Sequence, residues 1–255
     1  MPMGWTSENV AGDFHISRAE QDAFAATSQQ KAERAQKAGW FTDEIVPINV
    51  TVKHPKTGET HTETASQDDG FRYGTTAEGL SNLRAAFPQW APSTTTGGNA
   101  SQLTDGAAAL LLMRRSVAER LGQKVLARFV GATVVGLAPR VMGIGPVYAV
   151  PKLLGKLGLT NADVDIFEIN EAFSSMGVYC RDKLEIEPEK LNPRGGAVAL
   201  GHPLGCTGAR QIVTALAELK RAGKKVAVTS MCVGTVSLRE VCRELINADV
   251  LGYKG

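Results

Sequence analysis

The amino-acid sequence predicts a layered α/β fold, and three observations support that class. From Thr104 onward, apolar segments typical of buried strands alternate with segments of helical periodicity. Glycine supplies 27 of the 255 residues, above its usual share of roughly 7%, which suits a fold with many tight turns. Polar residues also follow several predicted strands where helices begin, and in parallel α/β sheets such junctions meet at one edge.

The composition argues against several classes of function. The 28 Lys and Arg residues nearly balance the 26 Asp and Glu residues, so the net charge of +2 gives no reason to expect nucleic-acid or anionic-membrane binding. The four cysteines lack CxxC or Cys/His ligand spacing, which argues against a zinc site and a disulfide scaffold. No apolar run reaches the roughly 20 residues of a membrane span, and Met1–Val10 lacks a targeting pattern. A reducing, intracellular setting is the simplest interpretation.

The first part of the chain predicts a long helix followed by a hairpin. Ser17 and Glu20 form a capping-box pattern at the start of the helix, and Gly39 stands beyond its end. Residues 44–52 and 60–65 alternate like strands, and the KTGE sequence between them predicts a turn. We expect this hairpin to be an exposed ribbon.

Two further stretches precede the main α/β region. In residues 71–87, a turn after Arg72 leads into a short helix with Leu80 and Leu83 on one side. Residues 94–101, TTTGGNAS, predict a loop whose glycines leave backbone groups open to a ligand.

The remaining elements alternate between strands and helices. Residues 104–113, TDGAAALLLM, predict a buried strand. The other predicted strands cover residues 124–136, 163–169 and 225–231, and helices are expected from Ser116, between Pro146 and Gly158, over 172–184 and over 209–221.

A glycine-rich stretch at residues 192–210, NPRGGAVALGHPLGCTGAR, leads into the last of these helices. Free N–H groups and the helix dipole favour negative charge at a helix N-terminus, and glycine permits close backbone approach. His202 lies at the centre of this stretch, where it could stabilise an anion. Outside this context, a structural histidine would be the more common interpretation.

Three polar or reactive residues lie at strand-to-helix junctions. Asn170 follows the strand 163–169, Cys232 follows the strand 225–231, and His202 lies in the glycine-rich stretch. Because such junctions share one rim of a parallel sheet, a histidine and a cysteine facing one crevice suggest thiol or acyl chemistry. The other cysteines are interpreted as packing residues, and they are Cys180, Cys206 and Cys242.

Three ordered motifs indicate a known family: the block at 192–210, FEINEAF at 167–173 and SMCVG at 230–234. Through them the chain resembles the thiolases, most closely the peroxisomal 3-ketoacyl-CoA type (acetyl-CoA C-acyltransferases). Upstream segments such as GWTSENVA and FRYGTTAEGLSNLRAAF extend the resemblance over nearly everything from Gly4 to Gly234. The resemblance implies an α/β fold with a thiolase-like layered α/β/α C-terminal domain and an α+β loop domain.

The resemblance also implies domain limits and a reaction. The expected parts are a CoA-binding loop domain at 1–105, the end of the N-terminal half-fold at 106–140 and a C-terminal domain at 141–255. The implied reaction is thiolytic cleavage of 3-ketoacyl-CoA by CoA in fatty-acid β-oxidation, giving acetyl-CoA and a shortened acyl-CoA. CoA is a substrate, and no metal or redox cofactor is expected. The family further implies a homodimer and a peroxisomal location.

The resemblance assigns chemical roles to the junction residues. His202 is expected to activate the nucleophile and line an oxyanion hole, where Asn170 holds a water molecule. Cys232 is expected to exchange a proton with the substrate α-carbon or the CoA sulfur. Backbone N–H groups near Gly234 are expected to form a second oxyanion hole.

A second group of residues is expected, again by resemblance, to bind CoA and substrate. The matching arginine, helix and leucine of thiolases contact the adenosine-diphosphate end of CoA, and the TTTGGNAS loop contacts the pantetheine arm. The expected binding residues are Arg72, Gly79, Leu83, Gly97, Ser101, Ala172, Phe173 and Gly234.

Two features depart from the family pattern. Thiolases carry their acyl-accepting cysteine in the N-terminal half, but no cysteine precedes Cys180 here, so the first chemical step is expected to be lost or strongly reduced. From Thr235 the sequence also differs from the family's glycine-alternating last strand. An amphipathic helix and an exposed sheet edge are predicted there, because one helical face collects Leu238, Val241, Cys242, Leu245 and Ile246.

Two other functions stay open. A non-catalytic CoA-binding or thiolase-partner protein would keep Arg72 and Ser101, whereas His202 and Cys232 together favour catalytic ancestry. A β-ketoacyl synthase relative fits less well, because those enzymes use a second histidine where Cys232 stands.

Overall fold

The computed structural model describes residues 2–233 and, as backbone only, residues 244–253. Among the described residues, no helix is long and apolar enough to cross a membrane. The first elements are the helices α1 (Met3–Asp13) and α2 (Arg18–Lys37), the strands β1 (Ile48–Lys53) and β2 (Thr60–Ala65), and the short helix α3 (Ala77–Ser81).

Helix α2 begins and ends where its sequence predicts. The Ser17 side chain accepts a hydrogen bond from the Glu20 backbone N–H, and the Glu20 carboxylate accepts one from Ser17 N at 2.7 Å. The Ser17 hydroxyl and the Ser17 backbone N–H both donate to the Glu20 carboxylate, and these two bonds lower the pKa of Glu20. Gly39 follows the helix with φ +70°, a left-handed conformation that glycine adopts readily.

The predicted hairpin is confirmed. β1 pairs antiparallel with β2, with Ile48 opposite Ala65 and Lys53 opposite Thr60, and every residue of β2 is exposed.

The strand predicted at 104–113 is wrong. Residues 101–114 carry neither helix nor strand, and the side chains of Leu111 and Leu112 are 80% and 78% exposed. The physical reason is that a strand needs neighbours for its backbone N–H and C=O groups, and no described strand pairs with this segment. Helix α4 (Arg115–Arg120) follows it, as predicted.

One mixed sheet carries the second part of the chain. Its strands are β3 (Ala127–Leu137), β4 (Ile166–Ile169), β5 (Val226–Val233) and β6 (Glu244–Tyr253), in the order β3-β6-β5-β4. β4 and β5 run parallel, whereas β6 is antiparallel to both of its neighbours. The helices are α5 (Pro146–Leu157), α6 (Ser174–Lys183), α7 (Ala197–Leu200) and α8 (Thr207–Ala222).

Helices cover both faces of this sheet. Phe167 and Ile169 on β4 pack into a core shared with α5 and α6. Ile166 on the opposite face packs with Ala215 and Leu219 of α8. Because successive side chains of a strand point to opposite faces, β4 is buried on both sides, which confirms the layered α/β/α class.

The helix predicted for the tail is wrong where the structure describes it. Leu245 and Ile246 belong to β6, which lies between β3 and β5, so β5 does not have the exposed edge that was expected. The backbone of an added strand is hydrogen-bonded on both sides here, and these bonds outweigh a helical side-chain pattern. Leu238, Val241 and Cys242 lie outside the described residues.

The structure does not test the predicted domain limits at residues 105 and 140. β3 begins within the segment 106–140, which was assigned to the N-terminal half-fold, yet it lies in the same sheet as β4 and β5.

Candidate active site

Asn170 lies immediately after β4 and continues its pairing with β5. Its backbone N–H donates to Ser230 O at 2.9 Å. The side-chain Nδ2 lies 3.2 Å from His202 Nε2, which brings two of the predicted catalytic residues into direct contact. The side-chain oxygen of Asn170, Oδ1, is buried and has no hydrogen-bond partner within the described part of the chain.

His202 lies between α7 and α8, so the strand-to-helix junction predicted for it is wrong, and the glycine-rich stretch holds it inside the protein. Gly201 before it has φ +84°, and a Cβ there would lie 2.5 Å from Thr104 Cγ2, so glycine is needed for both backbone and space. The backbone N–H of His202 donates to Gln102 O at 3.1 Å. The side chain is 7% exposed, and its Nδ1 lies 2.6 Å from Thr207 Oγ.

Burial sets the charge state of the His202 ring. Desolvation lowers its pKa, and the positive charge of Arg210 lowers it further. The imidazole is therefore neutral at pH 7 and available as a base.

Glu171 connects the end of β4 to the glycine-rich stretch. Its buried carboxylate accepts hydrogen bonds from Ser28 Oγ at 2.7 Å, Asn192 Nδ2 at 2.6 Å and Val198 N at 3.3 Å. Gly196 leaves room for this group, because a Cβ there would lie 2.1 Å from the Glu171 carboxyl carbon. Glu171 was assigned no role from the sequence, although a charged residue so close to the end of a predicted strand was a usable signal.

Asn192 ties the start of the stretch to the same strand. Its Oδ1 accepts from Ile169 N at 2.9 Å, and its Nδ2 donates to Ile169 O at 2.8 Å. The stretch and the strand end therefore form one hydrogen-bonded unit that places His202 against Asn170.

Cys232 lies near the end of β5 and lines a cavity with Asn170. The other lining residues are Met3, Met142, Gly143, Pro146, Ala172, Met176 and Met231. Asn170 thus contacts His202 directly and shares a cavity with Cys232. The structure brings all three predicted catalytic residues to one end of the β4 and β5 strands.

Part of the predicted CoA-binding group is also brought together. A Cβ on Gly98 would lie 2.5 Å from Leu83 Cδ1. The loop at residues 94–101, the glycine loop, is therefore in close contact with Leu83, which lies two residues after α3. Gly97 faces open space, and Leu83 is 39% exposed. The N–H of Gly79 donates to Thr76 Oγ at 3.1 Å and is engaged in capping α3.

The glycine loop reaches the cavity through Ser101. Its backbone N–H donates to Ala172 O at 3.0 Å, and Ala100 pairs with Phe173 beside it. Arg72 lies on the exposed surface, where its backbone N–H donates to Gln29 Oε1 at 2.7 Å. Gly234 lies outside the described residues.

Cys180 and Cys206 are both buried, as expected for packing residues. Burial raises the pKa of Cys180 to about 12, and burial also raises the pKa of Cys206. Cys242 lies outside the described residues. Within the described part of the chain, no group of three or more His, Cys, Asp or Glu residues is arranged to hold a metal ion.

A buried ion pair joins α8 to β4, the strand that precedes Asn170. Arg210 on α8 donates to Glu168 Oε2 at 3.1 Å, and Glu168 on β4 is fully buried. Burial raises the pKa of Glu168 to about 7 despite this pair. Arg210 was not predicted as part of the site, because the pair joins residues 42 positions apart.

Family models match both parts of the chain. The model described as the N-terminal domain of thiolase matches residues 1–116, and the model described as the C-terminal domain of thiolase matches residues 123–242.

Curated relatives are about twice as long. The chain is 58% identical over 236 residues to the peroxisomal 3-ketoacyl-CoA thiolase of Homo sapiens, a match that covers 92% of this chain and 55% of the relative. It is 52% identical over 235 residues to the corresponding protein of Saccharomyces cerevisiae, covering 92% and 54%. The chain thus spans about half the length of these relatives.

Solved structures share the fold. The dimeric peroxisomal thiolase of Saccharomyces cerevisiae superposes with a TM-score of 0.85 at 49% identity, covering 100% of this chain and 59% of that one. The acetyl-CoA acetyltransferase of Bacillus anthracis superposes with a TM-score of 0.88 at 39% identity, covering 100% and 60%.

Proposed function

Because this chain belongs to the thiolase family, we propose that it carries the proton-transfer chemistry of 3-ketoacyl-CoA thiolysis at the site formed by His202, Asn170 and Cys232. The products of that reaction are acetyl-CoA and an acyl-CoA shortened by two carbons. The observation that carries the proposal is the position of Asn170, whose side chain is 3.2 Å from His202 Nε2 and lines one cavity with Cys232.

In this proposal His202 is the base for thiols. Its neutral ring offers a lone pair at Nε2: a thiol S–H bond breaks, the proton moves to Nε2 and the electron pair stays on sulfur. The protonated Nε2 then donates to a thioester oxygen. Asn170 Oδ1, which is buried without a partner in the described residues, supports a bound water as a second donor to that oxygen.

Cys232 is proposed to exchange protons at carbon. As a thiolate it takes a proton from the α-carbon of an acyl-CoA; the C–H electron pair moves into the thioester carbonyl, and the oxygen takes the negative charge. Return of the proton from the Cys232 thiol restores the thioester. CoA is a substrate in this chemistry, and the proposed steps need no metal or redox group.

The covalent step needs a further cysteine in the family mechanism. None of the first 179 residues of this chain is a cysteine. We therefore propose that complete thiolysis is strongly impaired in this chain, whereas proton exchange at the substrate α-carbon is retained, since that step forms no acyl-enzyme.

The CoA molecule is proposed to lie along the surface from α3 to the cavity. Support comes from the contact of Leu83 with the glycine loop and from the bond between Ser101 and Ala172 at the cavity. The proposed binding residues are Arg72, Gly79, Leu83, Gly97, Ser101, Ala172, Phe173 and Gly234. A homodimer and a peroxisomal location are proposed from the names of the relatives.

Proton exchange of acetyl-CoA in D₂O tests this function directly. The purified chain is expected to accelerate deuterium incorporation into the acetyl methyl group, measured by NMR or mass spectrometry. Cys232→Ser is expected to lower the rate by about 100-fold or more. Cys180→Ser, at a buried cysteine assigned to packing, serves as the matched control and is expected to keep the rate. Thioester loss from acetoacetyl-CoA and CoA, measured in parallel, reports on complete thiolysis.

The second candidate function is CoA binding without catalysis. The absence of cysteine from the first 179 residues favours it, because that feature removes the covalent step but leaves the loop contacts intact. Saturable CoA binding combined with no exchange above the buffer rate would replace the first proposal with this one. An exchange rate that is equal in Cys232→Ser would also contradict the role assigned to Cys232.

A further inference from the structure

Thr207 is a buried hydroxyl residue at the start of α8, directly beside the His202 ring. Its side-chain oxygen lies 2.6 Å from His202 Nδ1 and 3.1 Å from Pro203 O. A carbonyl oxygen can only accept hydrogen bonds, and a threonine hydroxyl has a single proton to donate. When that proton is given to Pro203 O, the Thr207 oxygen is left as the acceptor for a proton on Nδ1.

The opposite side of the ring leads to the same proton arrangement. Asn170 Nδ2 lies 3.2 Å from His202 Nε2, and an amide nitrogen only donates. With the Asn170 amide in this orientation, Nε2 accepts, which leaves it without a proton in the neutral ring. Pro203 O, acting through the Thr207 hydroxyl, and the Asn170 amide therefore favour the same neutral tautomer, the one with its proton on Nδ1.

We propose that Thr207 is a positioning residue that holds His202 in the tautomer with its proton on Nδ1 and its lone pair on Nε2. This inference rests on the proposed function of His202 and deepens it by naming the group that selects the basic nitrogen. When a thiol proton moves to Nε2, that nitrogen gives up the hydrogen bond from Asn170 Nδ2, whereas the bond from Nδ1 to Thr207 is unchanged. The ring can then act first as base and next as hydrogen-bond donor without rotating.

The tautomer can be measured in the free chain by ¹⁵N NMR. Long-range ¹H–¹⁵N correlation of a chain labelled on histidine distinguishes protonated from bare ring nitrogens, and His202→Asn assigns the signal among the 4 histidines. In the wild-type chain, Nε2 is expected to be the bare nitrogen. Thr207→Val is expected to lower the ratio of the Nδ1–H to the Nε2–H tautomer by about tenfold, as the loss of one hydrogen bond requires. Thr207→Ser is expected to restore it.

Thr214→Val is the matched control, because Thr214 is a buried threonine in the same helix whose hydroxyl bonds to Glu44 at 3.5 Å. It is expected to leave the His202 tautomer unchanged. A wild-type ring with its proton on Nε2 would overturn the proposal, as would a Thr207→Val chain that loses thermal stability but keeps the wild-type tautomer.

The wild-type spectrum needs neither a variant nor a substrate. If the Thr207→Val chain does not fold, the tautomer observed in the wild-type chain can still overturn the proposal. A chain that shows the Nδ1–H tautomer but no proton exchange would remove the proposed function and keep this inference.

Discussion

Residues 192–202 of the glycine-rich stretch contain polar side chains that are buried, whereas the segment 104–113 contains apolar side chains that are exposed. Asn192, Arg194 and His202 are polar, yet they are only 2%, 1% and 7% exposed. Leu111 and Leu112 are apolar, yet they are 80% and 78% exposed. Hydropathy alone would assign the two segments the other way round.

Partners explain the difference. Arg194 is buried because its guanidinium donates to Glu218 at 2.9 Å and to the carbonyl of Trp40. The segment 104–113 is paired with no strand that the structure describes, so its backbone and leucines stay at the surface. Burial in this chain therefore follows the supply of hydrogen-bonding and packing partners more than the polarity of the residue.

Leucine truncation is the largest test of this comparison. Leu153→Ala, in the core at 1% exposure, is expected to lower the free energy of unfolding by about 2–5 kcal/mol. Leu112→Ala is expected to change it by less than about 0.5 kcal/mol, because an exposed side chain leaves no cavity. Urea unfolding of both variants measures the two values. A cost at Leu112 as large as that at Leu153 would mean that residues 104–113 are buried in solution.

Adding one methyl group tests the glycine-rich stretch. Gly196→Ala places a Cβ 2.1 Å from the Glu171 carboxyl carbon, so it is expected to cost about 1–3 kcal/mol of unfolding free energy. Gly97→Ala is the matched control: no atom lies within 4 Å of its added Cβ, and stability is expected to stay nearly unchanged. Equal unfolding midpoints for the two variants would show that the Glu171 contact is not tight.

The smallest expected effect concerns the buried carboxyl group of Glu44, which makes the stability of the chain depend on pH. Burial raises the pKa of Glu44 from 4.5 to about 7, even though Arg194 lies 3.8 Å away. Between these values the native state binds more protons than the unfolded state, so this group's contribution to stability falls as pH rises from about 4.5 to about 7. In Glu44→Gln, the fall in the free energy of unfolding between pH 5 and pH 8 is expected to be smaller than in the wild type by about 1–2 kcal/mol.

The measurement compares urea unfolding at pH 5 and pH 8 in the wild-type chain and the variant. Glu168 contributes a fall of the same sign, and the negative charge of Glu44 is one of the causes that raise the pKa of Glu168, so Glu44→Gln is expected to reduce that fall as well. Glu187→Gln, at a side chain that is 67% exposed, is the control and is expected to follow the wild-type pH dependence. A steeper fall in Glu44→Gln than in the wild type would reverse the sign predicted here.

Local spacing predicted some of the fold correctly. The capping box of α2 joins residues three apart, and the β1–β2 hairpin joins neighbouring segments, so both could be predicted from short stretches. The position of β6 between β3 and β5 could not be predicted, because 88 residues separate these two partners in the sequence and a local helical pattern competes with the strand.

The candidate site divides in the same way. The junction pattern predicted that Asn170, His202 and Cys232 belong to one end of the sheet, since parallel strands align their ends. The pattern could not predict that Glu171 is bonded to Ser28, 143 positions away, or that Arg210 neutralises Glu168. Such bonds depend on which helices pack against the strand, and residue spacing does not contain that information.

By itself, the amino-acid sequence determined the capping box of α2, the β1–β2 hairpin and the strands β4 and β5, because periodicity and turn signals act over a few residues. Only the tertiary structure decided which polar groups are buried, which apolar segment stays exposed and which nitrogen of His202 faces Asn170. Those outcomes depend on partners from distant parts of the chain, whose hydrogen bonds and packing exist only after the layers have assembled.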